Sequence, residues 1–241
     1  MAQDDLFDSR SSKYIGFFCN PIIRVVGTWI WFFAGAFLTI LIILGIRGVG
    51  FSEMAQVLGE QRHLTLYIEL VSVGLFPLVI SFLCKDDFVE YGFRQSGLEK
   101  SLVYSIIFVG VMYLIGYLMT GQIMSDDRVV LSLEFPLNLW YGLGGVLVWG
   151  PLEVFFFSWL VVNTERALKE PERRVSLGLI ITLALFILTH VVTTDWFNAF
   201  YTGVIFLIIG VIFKSEKNIF GPMLAWTLIN GQVWYMARLL F

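Results

Sequence analysis

An all-α, polytopic bundle of transmembrane helices, with about seven spans (six to eight), is the fold class predicted by two features of this chain. The first is composition: 58% of the residues are apolar and only 15% charged, with a mean hydropathy of +0.80, far from the range of a soluble globular domain. The second is a series of seven apolar runs, at roughly 22–46, 64–84, 101–122, 137–163, 176–194, 197–214 and 221–241. Crossing a bilayer takes about 20 apolar residues in a helix, so 241 residues hold one bundle and little else. The expected organisation is a cytoplasmic N-terminal segment, 1–21, followed by a single transmembrane domain, 22–241.

The first segment begins MAQDDLFDSRSSK and continues YIGFFCNP. It lacks the short apolar core and small-residue cleavage site of a secretory signal, so it is expected to stay on the mature protein. The loop 85–100, KDDFVEYGFRQSGLEK, reads as a short surface element that Gly97 separates from the next helix. The run 137–163 is long for one span. Its Gly142, Gly144, Gly145, Gly150 and Pro151 predict tilt, close helix contact or a kink near Pro151, and a hidden eighth span would also account for the length. No internal repeat is apparent, so nothing supports an inverted-repeat transporter.

Orientation follows from the placement of Lys and Arg, which favour cytoplasmic loops. Twelve fall in the N-terminal segment and the even loops, among them Arg24, Lys85, Arg94, Arg166, Arg173, Arg174, Lys214 and Lys217; four (Arg47, Arg62, Arg128 and Arg238) fall on the other side. The N-terminus is therefore expected in the cytoplasm, with the plasma membrane the expected home. A net charge of −3, with basic residues scattered among loops, gives no footprint for nucleic acid. Cys19 and Cys84 both lie on the cytoplasmic side of this topology, where thiols stay reduced, so no disulfide is expected.

Candidate chemistry centres on GPLEVFFFSWLVVN, 150–163, which places Glu153 inside an apolar helix. An ionisable group at that depth costs roughly 2.5–3.5 kcal/mol on insertion scales, so it normally faces a bundle interior and finds a partner. From helical rise, Glu153 lies about 15 Å, His190 about 21 Å and Asn230 about 14 Å from the cytoplasmic ends of their spans. Three helices thus offer polar groups at similar depth. A carboxylate and an imidazole in low dielectric can move a proton to or from water, and an amide can polarise a carbonyl or hold an oxyanion. The alternative is structural: Glu153 bonds Ser158, Thr189 or backbone and ties spans together.

With two histidines, His63 and His190, and no HExxH, a zinc site is not expected; no metal or cofactor is called for. Glu69, about five residues into the second span, reads as an acid near the outer interface, within reach of water. Phe155, Phe156, Phe157 and Trp159 occupy all sides of a helical turn and are expected to meet both lipid and neighbouring helices. Trp140, Trp149, Trp226 and Trp234 read first as interface or packing residues.

Three short marks carry a family resemblance: LEVFFFS at 152–158, FILTH at 186–190, and WTLIN at 226–230 preceded by GPMLA. Their order and their placement on successive spans resemble the CAAX-protease and bacteriocin-processing family of intramembrane proteases, also called Abi or CPBP. Its marks are EExxxRG, FxxxH and HxxxN. The similarity covers about 137–235, and the loop YGFRQSGLEKSL beginning at Tyr91 resembles the segment these proteins carry before a mid-chain span. The resemblance implies His190 as an acid–base or oxyanion group, Asn230 as its polar support, and Glu153 as a supporting carboxylate or substitute base. Departures stand beside it. Leu152 takes the place of the family's first glutamate, Phe157 of its arginine, Ser158 of its glycine and Trp226 of its third-mark histidine.

These residues support three readings. One is a glutamate-type intramembrane endopeptidase with a reduced site made of Glu153, His190 and Asn230. Another is a pseudo-protease that keeps the fold as a membrane scaffold, chaperone or regulator, which the lost carboxylate, arginine and histidine favour on chemical grounds. The third is a small transporter or lipid-binding protein. The expected partners are membrane lipid and a membrane-embedded or membrane-anchored protein or peptide, as substrate or as binding partner.

Overall fold

The computed structural model describes residues 16–121, 133–193, 195–231 and 233. Most of the N-terminal segment, Arg128, Thr194, Trp234, Arg238 and the end of the last apolar run lie outside the described residues. Helix α1 spans Pro21–Arg47, started by Pro21 and by the Asn20 side chain, which accepts from Ile22 N at 2.9 Å. It stops at Gly48, which adopts φ +67°. A short helix, α2 (Met54–Glu60), leads into α3, Thr65–Leu83. The 85–100 loop forms a 3-10 turn at Phe88–Tyr91, and α4 follows as Leu98–Thr120. Gly97, at φ +75°, sits so close to Glu216 O that an added Cβ would lie 2.3 Å from it.

Beyond it come α5 (Leu137–Leu168), α6 (Leu177–Thr193), α7 (Trp196–Glu216) and α8 (Phe220–Ile229). Five of these helices, α1, α3, α4, α5 and α7, are long and apolar enough to cross a membrane; α6 and α8 are apolar but shorter. No strand occurs among the described residues, and the fold is an all-helical polytopic bundle. The long run does not hide an eighth span. It is one helix of 32 residues, interrupted at Val148–Leu152 by a π turn that contains Pro151. A second π turn, Leu70–Leu75, interrupts α3.

Helix α5 is the axis of the bundle. Its apolar window is 67% buried, against 22% for α1 and for α4. Phe155, Phe156, Phe157 and Trp159 are all buried, which corrects the expectation that this cluster would meet lipid. A helix that is apolar all round is a core helix when neighbours cover every side, and α1, α3, α6, α7 and α8 all touch α5. The outer apolar faces belong to α1, with Ile30 and Phe33 exposed, and to α4, with Ile106, Ile107 and Leu118 exposed.

At one end of the bundle the charged loops meet. Arg24 makes a two-pronged ion pair with Asp86 at 2.7 and 2.8 Å, and also donates to Tyr91 Oη at 3.1 Å and Asn163 Oδ1 at 3.3 Å. Arg24, assigned from sequence to a loop, is therefore a buried tie between α1, the 85–100 loop and α5. Burial alone would raise the Asp86 carboxyl, but hydrogen bonds from Arg24 and Tyr91 together with the guanidinium charge hold it below the ordinary aspartate value. Lys214 pairs with Glu165 at 2.6 Å, and Arg166 pairs with Glu90. At the same end Cys19 and Cys84 form a disulfide that spans 65 positions. This overturns the expectation of free thiols, which rested on compartment alone; the Arg24–Asp86 pair brings the start of α1 beside the end of α3, whatever faces that end.

Candidate active site

The π turn of α5 delivers its last residues to the bundle interior, and Glu153 follows directly. Its carboxylate is 4% exposed. Oε1 lies 4.0 Å from His190 Nε2, and Oε2 accepts the indole N–H of Trp226 at 2.6 Å. Glu153, on α5, and His190, on α6, thus meet inside the bundle. Two hydrogen bonds of about 2.8 Å meeting near a tetrahedral angle span about 4.5 Å, so this separation is close to that of a water-bridged pair.

His190 is oriented by its own helix. Nδ1 lies 2.9 Å from Phe186 O; a carbonyl can only accept, so Nδ1 carries the proton, and Nε2 presents a lone pair toward Glu153 in the neutral ring. The ring lies against Phe186, with centroids 4.6 Å apart, and Phe186 in turn lies 4.4 Å from Phe206. Phe157, which stands where the family has arginine, closes this wall against Phe186 and Phe206. It fills volume and brings no charge.

Asn230 caps α8. Its Nδ2 donates to Trp149 O at 2.9 Å, across to the π turn of α5. It makes no direct hydrogen bond to Glu153 or His190 among the described residues. The approach of α8 to α5 depends on Gly150, where an added Cβ would lie 2.1 Å from Thr227 Oγ1. That contact lets Trp226 reach Glu153 and Asn230 reach Trp149.

Two further residues belong to this site. Trp149 and Trp226, read from sequence as interface or packing residues, take part in its hydrogen bonds: Trp226 donates its indole N–H to Glu153, and the Trp149 carbonyl accepts from Asn230. Trp226 thereby supplies an N–H where the family's histidine would stand, but indole cannot accept a proton. Glu69, expected near the outer interface and within reach of water, is half-buried on α3.

No curated protein and no solved structure matches the chain. Residues 135–232, which carry Trp149, Glu153, His190, Trp226 and Asn230, match the model of the type II CAAX prenyl endopeptidase Rce1-like family, so this part of the chain is similar to that family.

Proposed function

We propose that this chain is a glutamate-type intramembrane endopeptidase acting on a membrane-embedded or membrane-anchored peptide. The observation that carries the reading is the buried Glu153 carboxylate 4.0 Å from His190 Nε2, inside the stretch that matches the endopeptidase family. Glu153 takes a proton from water as the water oxygen attacks the peptide carbonyl. The carbonyl electron pair moves onto oxygen, and His190, in the imidazolium form in which Nε2 also carries a proton, stabilises the resulting oxyanion together with Asn230; the oxyanion then collapses, the C–N bond breaks, and Glu153 passes its proton to the departing nitrogen. The Asn230 amide has a second N–H beyond the one given to Trp149 O. An apolar groove of about 350 Å³, lined in part by Leu70, Val148, Leu152, Phe155 and Met223, runs along the π turn of α5 and suits an apolar substrate segment.

The pseudo-protease reading has its own support: Trp226 occupies Glu153 Oε2 at 2.6 Å, and Phe157 brings no charge. Native pull-down with mass spectrometry, run on wild type and Glu153→Gln, separates the two. An endopeptidase accumulates uncleaved substrates on the variant alone. An identical partner set with unchanged processing would defeat the enzyme and establish the scaffold.

For orientation we propose the plasma membrane with the N-terminus in the cytoplasm, on the twelve-to-four division of Lys and Arg. The Cys19–Cys84 bond speaks for the opposite face, since cytoplasmic thiols are kept reduced. Arg173→Cys should stay unlabelled by a membrane-impermeant thiol reagent until cells are lysed. Labelling in intact cells would invert the topology.

A further inference from the structure

The charged end of the bundle holds a cavity of about 410 Å³ that the peptide chemistry does not use. Three segments wall it: the 85–100 loop with Glu90 and Arg94, the end of α5 with Glu165, Arg166 and Lys169, and the end of α7 with Lys214 and Lys217. Glu170 and Glu172, just beyond α5, complete the charged lining. Five cations thus meet four carboxylates.

The carboxylates are already engaged. Glu165 takes Lys214 Nζ at 2.6 Å and also accepts the Ser176 hydroxyl. Arg166 pairs with Glu90, and Lys217 with Glu172. Glu170 turns both its oxygens to the start of α6, accepting Leu177 N at 2.7 Å and Gly178 N at 2.9 Å. Two cations, Arg94 and Lys169, are therefore left without an acid partner among the described residues. Carbonyls fix Arg94 instead: Nε donates to Lys217 O at 2.6 Å and Nη2 lies 3.5 Å from Glu216 O, so Nη1 keeps both its N–H groups.

What the cavity has left to offer is a guanidinium edge and an ammonium, brought to one space from two different segments. Such a pair suits an anion with acceptor oxygens in several directions, and a tetrahedral phosphate has them where a planar carboxylate does not. The level also fits. Val162 and Phe213, on the same wall, stand at the ends of the apolar runs 137–163 and 197–214. Lys169 and Lys217 follow them by about 10 Å and about 6 Å of helical rise, so the cavity straddles the depth at which hydrocarbon gives way to headgroups.

We propose that this cavity is a phosphate site with Arg94 Nη1 and Lys169 Nζ as its donors, filled by the headgroup of an anionic phospholipid or by a free phosphate ion. A phosphate held there bridges the 85–100 loop to the end of α5, and binding to the folded bundle alone raises its stability.

Lys169→Asn removes one donor without straining the chain, because asparagine accepts the left-handed backbone of this position, φ +54°. Lys85→Asn is the matched control: Lys85 has φ +55° and lies at the same end, outside the cavity. Arg94→Lys keeps a donor for Lys217 O and loses the guanidinium edge. Native mass spectrometry of the purified full chain, mixed with equal phosphatidylglycerol and phosphatidylcholine of the same chains, reads the lipid source. Wild type and Lys85→Asn should retain phosphatidylglycerol in preference, and Lys169→Asn and Arg94→Lys should each weaken that preference about 10-fold or more, the scale of one charge-assisted hydrogen bond. Thermal unfolding with inorganic phosphate at constant ionic strength reads the free ion: a midpoint that rises in wild type and Lys85→Asn but not in Lys169→Asn, without a lipid preference, assigns the site to soluble phosphate. Equal retention of the two lipids together with a midpoint indifferent to phosphate would overturn the site. Equal losses in Lys85→Asn and Lys169→Asn would overturn it as well, since general surface charge would then account for the binding.

Discussion

Glu153→Gln is expected to lower peptide hydrolysis by about 10⁴-fold or more while leaving the bundle folded, and His190→Ala to do the same. Removing one member of a unit that acts in concert costs nearly as much as removing several. Folding should survive for local reasons. Glutamine keeps an oxygen for the Trp226 indole, now 2.6 Å from Glu153 Oε2, and Phe186 O keeps the Thr189 hydroxyl at 2.8 Å when the imidazole is gone. Asn230→Ala should cost less, about 10²–10³, the scale of one oxyanion donor. The measurement is cleavage of a lipid-anchored peptide by purified protein, with circular dichroism as the check on fold. Wild-type rates in Glu153→Gln would remove Glu153 from the chemistry.

Arg24→Met should be the most damaging substitution outside the site. Its guanidinium and the Asp86 carboxylate are 5% and 8% exposed. Taking away one partner of such a pair strands the other charge, a loss of about 3–5 kcal/mol. Replacing both, as Arg24→Met with Asp86→Asn, removes the stranded charge and should recover much of that loss. Thermal unfolding in detergent, read with the Cys19–Cys84 bond intact in every variant, gives the comparison; equal midpoints for the single and double variants would show that the pair is not buried as described. The pH dependence has a definite sign. Because the folded Asp86 carboxyl titrates below its ordinary value, its contribution is complete above the unfolded aspartate pKa of about 3.9 and is lost as pH falls through the lower folded value.

Much of the architecture was legible because lipid leaves few options: a chain this apolar must satisfy its backbone within helices or a closed barrel, and runs of about 20 residues select helices. The meeting of Glu153 with His190 was also legible, since the cost of an intramembrane charge demands a partner at matching depth. Other residues resisted for stated reasons. Arg24 was counted with the cytoplasmic N-terminal cations although it lies within the first run, 22–46; a charge count gives the end of the helix it sits at but not that it turns inward to Asp86. Trp149 and Trp226 were read as apolar bodies, and only a structure shows where an indole N–H points. Phe155 and its aromatic neighbours looked half exposed because nothing in a single helix reveals how many others surround it.

The π turn in α5 separates two quantities that a motif treats as one, order along the chain and direction around the axis. A π turn holds an extra residue, so everything beyond Leu152 is wound back by about 100° relative to an uninterrupted helix. The upstream half can then set Gly144 against Leu66 in one phase while the downstream half aims Glu153 and Phe157 inward in another. A gapless alignment through 148–152 gives Glu153 the second ordinal place of an EE pair, but its azimuth is set by the winding and not by that place. The one-residue ambiguity of the motif is thus built into the helix itself: Leu152 can hold the family's first position in the text of the sequence and still point at Gly74, while the carboxylate that follows it looks into the site.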